Sequence, residues 1–588
     1  MDKSKITKSH AMFASVLLII IIGVASFAYF GTFNVNLNNN VAVNINSSSP
    51  GNATFTSNAS QLNLQVPAAN MSFTAANNEV AAAENTSFLD VSLTGSSNLL
   101  TTCTYDIVYE YDAGSNVYGQ GTTTKTGDAT KEITIEVNGM NGNNHFATET
   151  NFDHASIQSY YDSTNKYYKL VEGATIKSLG TEQSVRWKIT GRYYNLTASQ
   201  AQLGGKAFTG KIYAISKGCS SEDGTTVKKG YETILANNGG AASMTTLTST
   251  DFATATTASD KGMYKAQDDL GTSYYFRGAV DNNWVKYGKY TKDAYITVDS
   301  NDNYSLVDSC NGLNLCVKLA SKGDDMYWRI IRVNGDNSIR MIYTGTSAPD
   351  NNTKVVMTES INSSGYIRAT SAGMSKFNQN FDSAEYVGYM YEIGKQHGTS
   401  QSSDIKTYLE DWYANYTDLN ASETKITDQI FCNDRTSSTD SSGIPGEISS
   451  WASTGTAYYY GSYYRVVEKY STPMPSLICD NANDKFTTTT AKGNGKLSYP
   501  IGLITADEVN MAGASSNQSY YLYNENSYWG GSPFDFSDDG AYESSVDIDG
   551  HLSGGFVSES GGVRGVVSLS SESKLLGSGT YNDVYTVS

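Results

Sequence analysis

Between residues 34 and 46 the apolar side chains Val35, Leu37, Val41, Val43 and Ile45 fall on odd positions among asparagines. A period of two is the mark of a strand with one buried face. The run 11–30 ahead of it shows no alternation: Val16, Leu17, Leu18 and Ile19 to Ile22 follow one another, and Lys3, Lys5 and Lys8 precede them. A positive flank and about twenty apolar residues predict an N-terminal transmembrane helix, acting as export signal or membrane anchor, over residues 1–30. Ser26-Phe27-Ala28 supplies the small-x-small pattern of a signal-peptidase site, so a cleaved signal and a retained anchor both fit.

Further β-rich runs cover 61–66, 88–93, 105–109, 132–137, 185–189 and 206–215, separated by Asn, Gly, Ser and Thr. They predict an all-β sandwich over 31–218. Residues 219–262 are rich in Ser, Thr, Gly and Ala, with a short helical pattern at 231–236, and read as a linker. In the remaining part, 263–588, the runs 327–333 and 338–343 flank Asn334-Gly335-Asp336-Asn337 and predict a hairpin. Helical spacing over 405–413, with Ser402, Ser403 and Asp404 as candidate caps, predicts a helix. The last third closes with strand patterns joined by acidic glycine turns.

Composition narrows the class. A chain of 588 residues exceeds one hydrophobic core. The net charge of −18 argues against nucleic acid as a partner. With 43 Tyr and only 8 Pro, ordered β structure is expected rather than disorder. Six cysteines allow fifteen pairings in an oxidising compartment. Grouping by sequence block favours Cys103 with Cys219, Cys310 with Cys316, and Cys432 with Cys479. The absence of a C-x-x-C pair and the scattered histidines disfavour zinc.

Two resemblances follow. Ala25-Ser26-Phe27-Ala28-Tyr29-Phe30 with its Asn-rich sequel, and the stretches 185–189 and 203–212, resemble the TasA/camelysin group of exported matrix proteins. That likeness implies a jelly-roll-like sandwich able to self-associate. The order Trp529-Gly530-Gly531-Ser532-Pro533, Asp547-Ile548-Asp549-Gly550, Gly562-Val563-Arg564-Gly565-Val566 is similar to secreted domains of the C-type-lectin-like group, formylglycine-generating-enzyme-like modules included. Gly565 departs from the proline usual there. The resemblance implies a compact α+β C-type-lectin-like domain over 263–588.

Candidate sites are few. Tyr520, Tyr521, Tyr523, Tyr528 and Trp529, near acidic Asp538 and Asp539, combine the aromatic faces and polar groups that hold sugars; packing in the core is the competing reading. Asp547 and Asp549 offer oxygen ligands to Ca²⁺, against the alternative of a plain turn. Arg564 is expected to be structural, with Asp547 as one available partner. No G-x-S-x-G or H-E-x-x-H occurs, His397 reads as a lone loop histidine, and Glu410 and Asp411 diverge on a helix. Cys432 and Cys479 lie in contexts unlike those of the formylglycine-generating enzymes, so that activity is not carried over and no enzyme is expected. The pattern as a whole predicts an extracellular, surface-displayed binding protein or adhesin for a glycan or surface protein. A structural component of a matrix fibre or surface layer is the alternative.

Overall fold

The computed structural model describes residues 43–45, 53–66, 81–96, 99–111, 132–194, 206–254, 256–257, 260–313, 315–347, 360–361, 367–368, 372–469, 471–514, 518–537 and 540–588. They form two compact units that divide between Val227 and Lys228. The apolar run 11–30 and most of the segment 34–46 lie outside the described residues. Among the described residues no helix is long and apolar enough to cross a membrane.

The first unit is a β-sandwich. One sheet runs Val43–Ile45, Ala53–Ser57, Ala81–Thr94, Gln183–Tyr194, Ile133–Asn138, Thr150–Asn151. The other runs Ser60–Gln65, Ala207–Asp223, Leu99–Tyr111, Tyr167–Ser178, Asn143–Asn144. Alternation explains the two layers: Leu89, Val91 and Leu93 of one sheet and Leu62, Leu64 and Ile107 of the other enter one core. Trp187 lies in that core and its Nε1 donates to the Tyr105 hydroxyl at 3.0 Å. Gly139 passes directly over the indole, where a Cβ would stand 2.0 Å from a ring carbon. Any side chain there would displace the tryptophan.

Cys103 and Cys219 face each other across Leu99–Tyr111 and Ala207–Asp223 and are joined by a disulfide. The strand therefore runs through Cys219, where a linker was expected to begin. Residues 228–262 likewise belong to the second unit: the helix Gly230–Asn237 and the segment after it place Ile234 and Met244 in its core. The linker expected at 219–262 is thus corrected to structured chain on either side of Val227. Low-complexity composition concealed this, because the apolar contacts there are few and widely spaced.

In the second unit an eight-stranded sheet contains Asp325–Val333 with all nine residues buried. Burial on both faces removes alternation, which is why the run reads Tyr327-Trp328-Arg329-Ile330-Ile331-Arg332-Val333. The expected hairpin is present, Asp325–Val333 pairing antiparallel with Ile339–Gly345. Asn337 adopts φ 68°, a left-handed conformation that asparagine tolerates in such turns. A seven-stranded sheet contains Tyr528–Ser537, which pairs with Gly540–Val546 and with Tyr458–Tyr460. The disulfides Cys310–Cys316 and Cys432–Cys479 complete the set favoured by sequence blocks. Three disulfides on a β-rich fold fit an oxidising, extracellular environment.

Candidate functional site

The helix Asp404–Tyr416 begins as its sequence dictates: the Ser403 hydroxyl accepts the Lys406 amide at 3.3 Å. Ile405, Leu409, Trp412 and Tyr416 turn one face into the core. Asp404, Thr407, Tyr408 and Asp411, spaced three and four apart, line the wall of a cleft of about 370 Å³. Its opposite walls come from the strand Tyr304–Val307 and from Ser375, Lys376 and Gln379. Strand Tyr304–Val307 pairs with Ala294–Val298, whose other neighbour is Cys316–Ala320, and the Cys310–Cys316 bridge ties the connection between the outer two strands.

Local bonds fix the polar groups. Tyr408 is buried and its hydroxyl donates to the Ala372 carbonyl at 2.8 Å, which sets the ring in the cleft wall. Burial pushes its phenol well above the ordinary range, so it stays protonated. Lys376 Nζ donates to the Asn301 carbonyl at 3.0 Å and to Asn303 Oδ1 at 3.2 Å. Asp404 Oδ2 accepts the Gln379 amide, and Asp411 Oδ1 accepts from Asn415 Nδ2 at 2.7 Å. Each carboxylate keeps acceptor capacity for a ligand hydroxyl. Tyr304 is half-buried and its phenol is raised by burial and by Asp302. Two aromatic rings, two carboxylates and several neutral amides and hydroxyls converge on a space of monosaccharide to disaccharide size.

The aromatic residues proposed from sequence lie elsewhere. Tyr523, Tyr528 and Trp529 are buried, with Tyr520 and Tyr521 beside them. Trp529 Nε1 donates to the Ser375 carbonyl at 2.9 Å, and its ring meets Phe377 edge-on. The expected stacking platform is therefore corrected to core packing, because Tyr528–Ser537 has strands on both sides. Asp538 and Asp539 lie outside the described residues. Asp547 and Asp549 belong to a turn in which the Gly550 amide donates to the Asp547 carbonyl and the Asp547 amide to the His551 carbonyl, both at 2.8 Å. Among the described residues no group of three or more His, Cys, Asp and Glu side chains is arranged to hold a metal ion. Arg564 does not reach Asp547: it donates to the Tyr343 and Leu522 carbonyls at 3.0 Å each and lies over the Tyr528 ring.

Sequence reasoning also missed a set of buried charges. His397, read as a lone loop residue, places Nδ1 2.8 Å from Asp484 and Nε2 3.2 Å from Glu447. Asp484 is gripped by Arg435 through Nε and a second guanidinium nitrogen, at 2.8 and 2.6 Å. Nearby in the same unit, Arg332 and Arg340 converge on Glu508 at 2.9 and 2.7 Å, and Arg465 joins Asp434 and Asp507 at 2.8 Å each. Burial opposes the charge on Glu508, yet the two guanidinium groups hold its carboxyl below the usual range. Arg332, Arg340, Asp434, Arg465, Asp507 and Glu508 line a narrow space of about 30 Å³, room for ordered water rather than a sugar. No family model, curated protein or solved structure matches the chain.

Proposed function

We propose that this is an extracellular binding protein that holds a glycan in the cleft between Tyr304–Val307 and the helix Asp404–Tyr416. The observation that carries the reading is the convergence of Tyr304, Tyr408, Asp404 and Asp411 on about 370 Å³ of open space. An aromatic face covers the C–H side of a sugar ring while carboxylates accept its hydroxyl protons. The resemblance of 263–588 to C-type-lectin-like domains supports a binding rather than a catalytic role, and the apolar run 11–30 supports display at the membrane or release from it. In this reading recognition rests on the cleft side chains, so chelation of Ca²⁺ leaves it intact.

The test is a glycan array probed with the full chain, with calcium and with chelator. Saturable binding in both conditions, weakened about tenfold by Tyr304→Ala or Asp411→Asn, supports the reading. Substitution of the exposed Ile444 by Ser serves as a control that leaves binding unchanged. Absence of saturable binding, or binding indifferent to both cleft substitutions, refutes it. A matrix role is the second reading: Val43–Ile45 pairs with Ala53–Ser57 at the edge of its sheet, and strand exchange at such an edge would link chains. Fibre formation by purified protein, lost on deleting residues 31–50, would favour it.

A further inference from the structure

Lys286 and Asp325 stand on the paired strands Trp284–Lys289 and Asp325–Val333. Their side chains are 6% and 4% exposed, and Lys286 Nζ lies 3.6 Å from Asp325 Oδ2. Neither group belongs to the cleft. An ammonium and a carboxylate removed from water each lose hydration worth several kcal/mol, so the neutral amine and acid formed by passing one proton between them become accessible. Desolvation by burial pushes the Lys286 amine down. Lys289 approaches the same carboxylate, 3.7 Å from Oδ1, but is 35% exposed and retains its hydration. Asp418 lies against this strand, its Oδ1 accepting the Lys289 amide at 2.7 Å. Burial raises its carboxyl above the ordinary aspartate value.

We propose that Lys286 and Asp325 condense to an intramolecular amide that welds the two strands. The Lys286 nitrogen lone pair adds to Asp325 Cγ, forming the C–N bond. The C–O bond to one carboxyl oxygen then breaks, and that oxygen leaves as water with two protons, one from the acid and one from the amine. No oxidant, reductant or activated donor enters, because amine plus acid equals amide plus water. Burial favours the product in a specific way: two charges that are costly to desolvate are replaced by one neutral amide.

Intact mass spectrometry of the purified full chain, followed by peptide mapping, tests this. The expected mass is about 18 Da below that of the disulfide-bonded polypeptide, the mass of one water, with a branched peptide joining the segments that contain Lys286 and Asp325. Lys286→Arg removes the nucleophile and restores the full mass, corrected for the substitution. Recovery of both segments as separate linear peptides overturns the proposal, as does a branch at Lys289 or an 18 Da deficit that persists in Lys286→Arg. Should that variant fail to fold, the wild-type peptide map decides alone.

Discussion

Inside the sandwich of the first unit stand Leu62, Leu64, Ile107, Val137 and Trp187, while its ion pairs Arg186–Asp90 and Arg192–Glu136 remain partly exposed. Inside the second unit stand Arg340, Arg435 and Arg564, among the largest fully buried side chains of the described residues. The contrast follows from backbone. In the sandwich, strand ladders satisfy most N–H and C=O groups, so the side chains facing the core are mainly apolar. The second unit packs short strands, helix ends and loops together, and buried arginines donate to carbonyls of all three. Arg435 donates to the Met390 and Gly398 carbonyls, Arg277 to those of Asn510, Met511, Asp251 and Thr254, and Arg564 to those of Tyr343 and Leu522. A guanidinium has five donors in a rigid plane, so one side chain ties two or more chain segments together.

The largest expected effect separates these two designs. Arg435→Met strips Asp484 of its guanidinium partner and the Met390 and Gly398 carbonyls of their donor, and costs about 3–5 kcal/mol in the second unit. Trp187→Ala, which leaves a void in the sandwich, costs a similar ~3–5 kcal/mol in the first. Urea unfolding of the full chain, followed by limited proteolysis to report which unit opens, should assign each loss to its own unit. A loss below about 1 kcal/mol for Arg435→Met would break the comparison, since the buried cation would then be dispensable.

Disulfides sharpen the same contrast with smaller effects. Cys103–Cys219 spans 116 residues, Cys432–Cys479 spans 47 and Cys310–Cys316 spans 6. In the chain-entropy account, stabilisation grows with the closed loop, so paired Cys→Ser substitutions should cost about 2–5 kcal/mol for the longest and least for the shortest. Thermal unfolding under matched conditions tests that order. The shortest bridge has another consequence: it fixes the strand turn beside Tyr304, so its removal should weaken glycan binding more than it weakens folding.

How much of this could be read from residues alone depended on the range of the interactions. The hairpin at 334–337, the helix capped by Ser403 and the three cysteine pairs are local or follow sequence blocks, and each is present. Strand Tyr167–Ser178 escaped notice because Lys169, Glu172 and Gly173 interrupt its alternation; register shifts on Leu99–Tyr111 absorb the irregularity. The cleft escaped because its walls are drawn from 303–306, 375–379 and 404–411. Its only sequence trace is the polar and aromatic face of the helix, Asp404, Thr407, Tyr408 and Asp411. Conversely, the aromatic run at 520–529 suggested a surface platform, although consecutive aromatics without polar alternation are what a doubly covered strand and its approach require. His397 and Asp484 are 87 residues apart, a separation no spacing rule bridges.

The smallest expected effect tests a carboxyl that lacks the treatment the arginines give elsewhere. Asp535, on the strand Tyr528–Ser537, is pushed up by burial from 3.8 to about 6. Across that interval the folded chain binds more protons at this site than the unfolded chain, so stability falls as pH rises from about 4 to about 6. Below the window both states are protonated and the site contributes no penalty; above it the full penalty applies. Asp535→Asn should therefore be neutral near pH 3 and increasingly stabilising to a plateau above about pH 6.5. After allowance for the partial exposure of the group, the plateau should reach roughly 1–2 kcal/mol. Urea midpoints at pH 3.5, 5 and 7 measure the profile. A gain of equal size at all three would mean that the aspartate is disfavoured by its shape rather than by its charge. The second unit would then tolerate an unpaired carboxylate there, contrary to the rule its arginines obey.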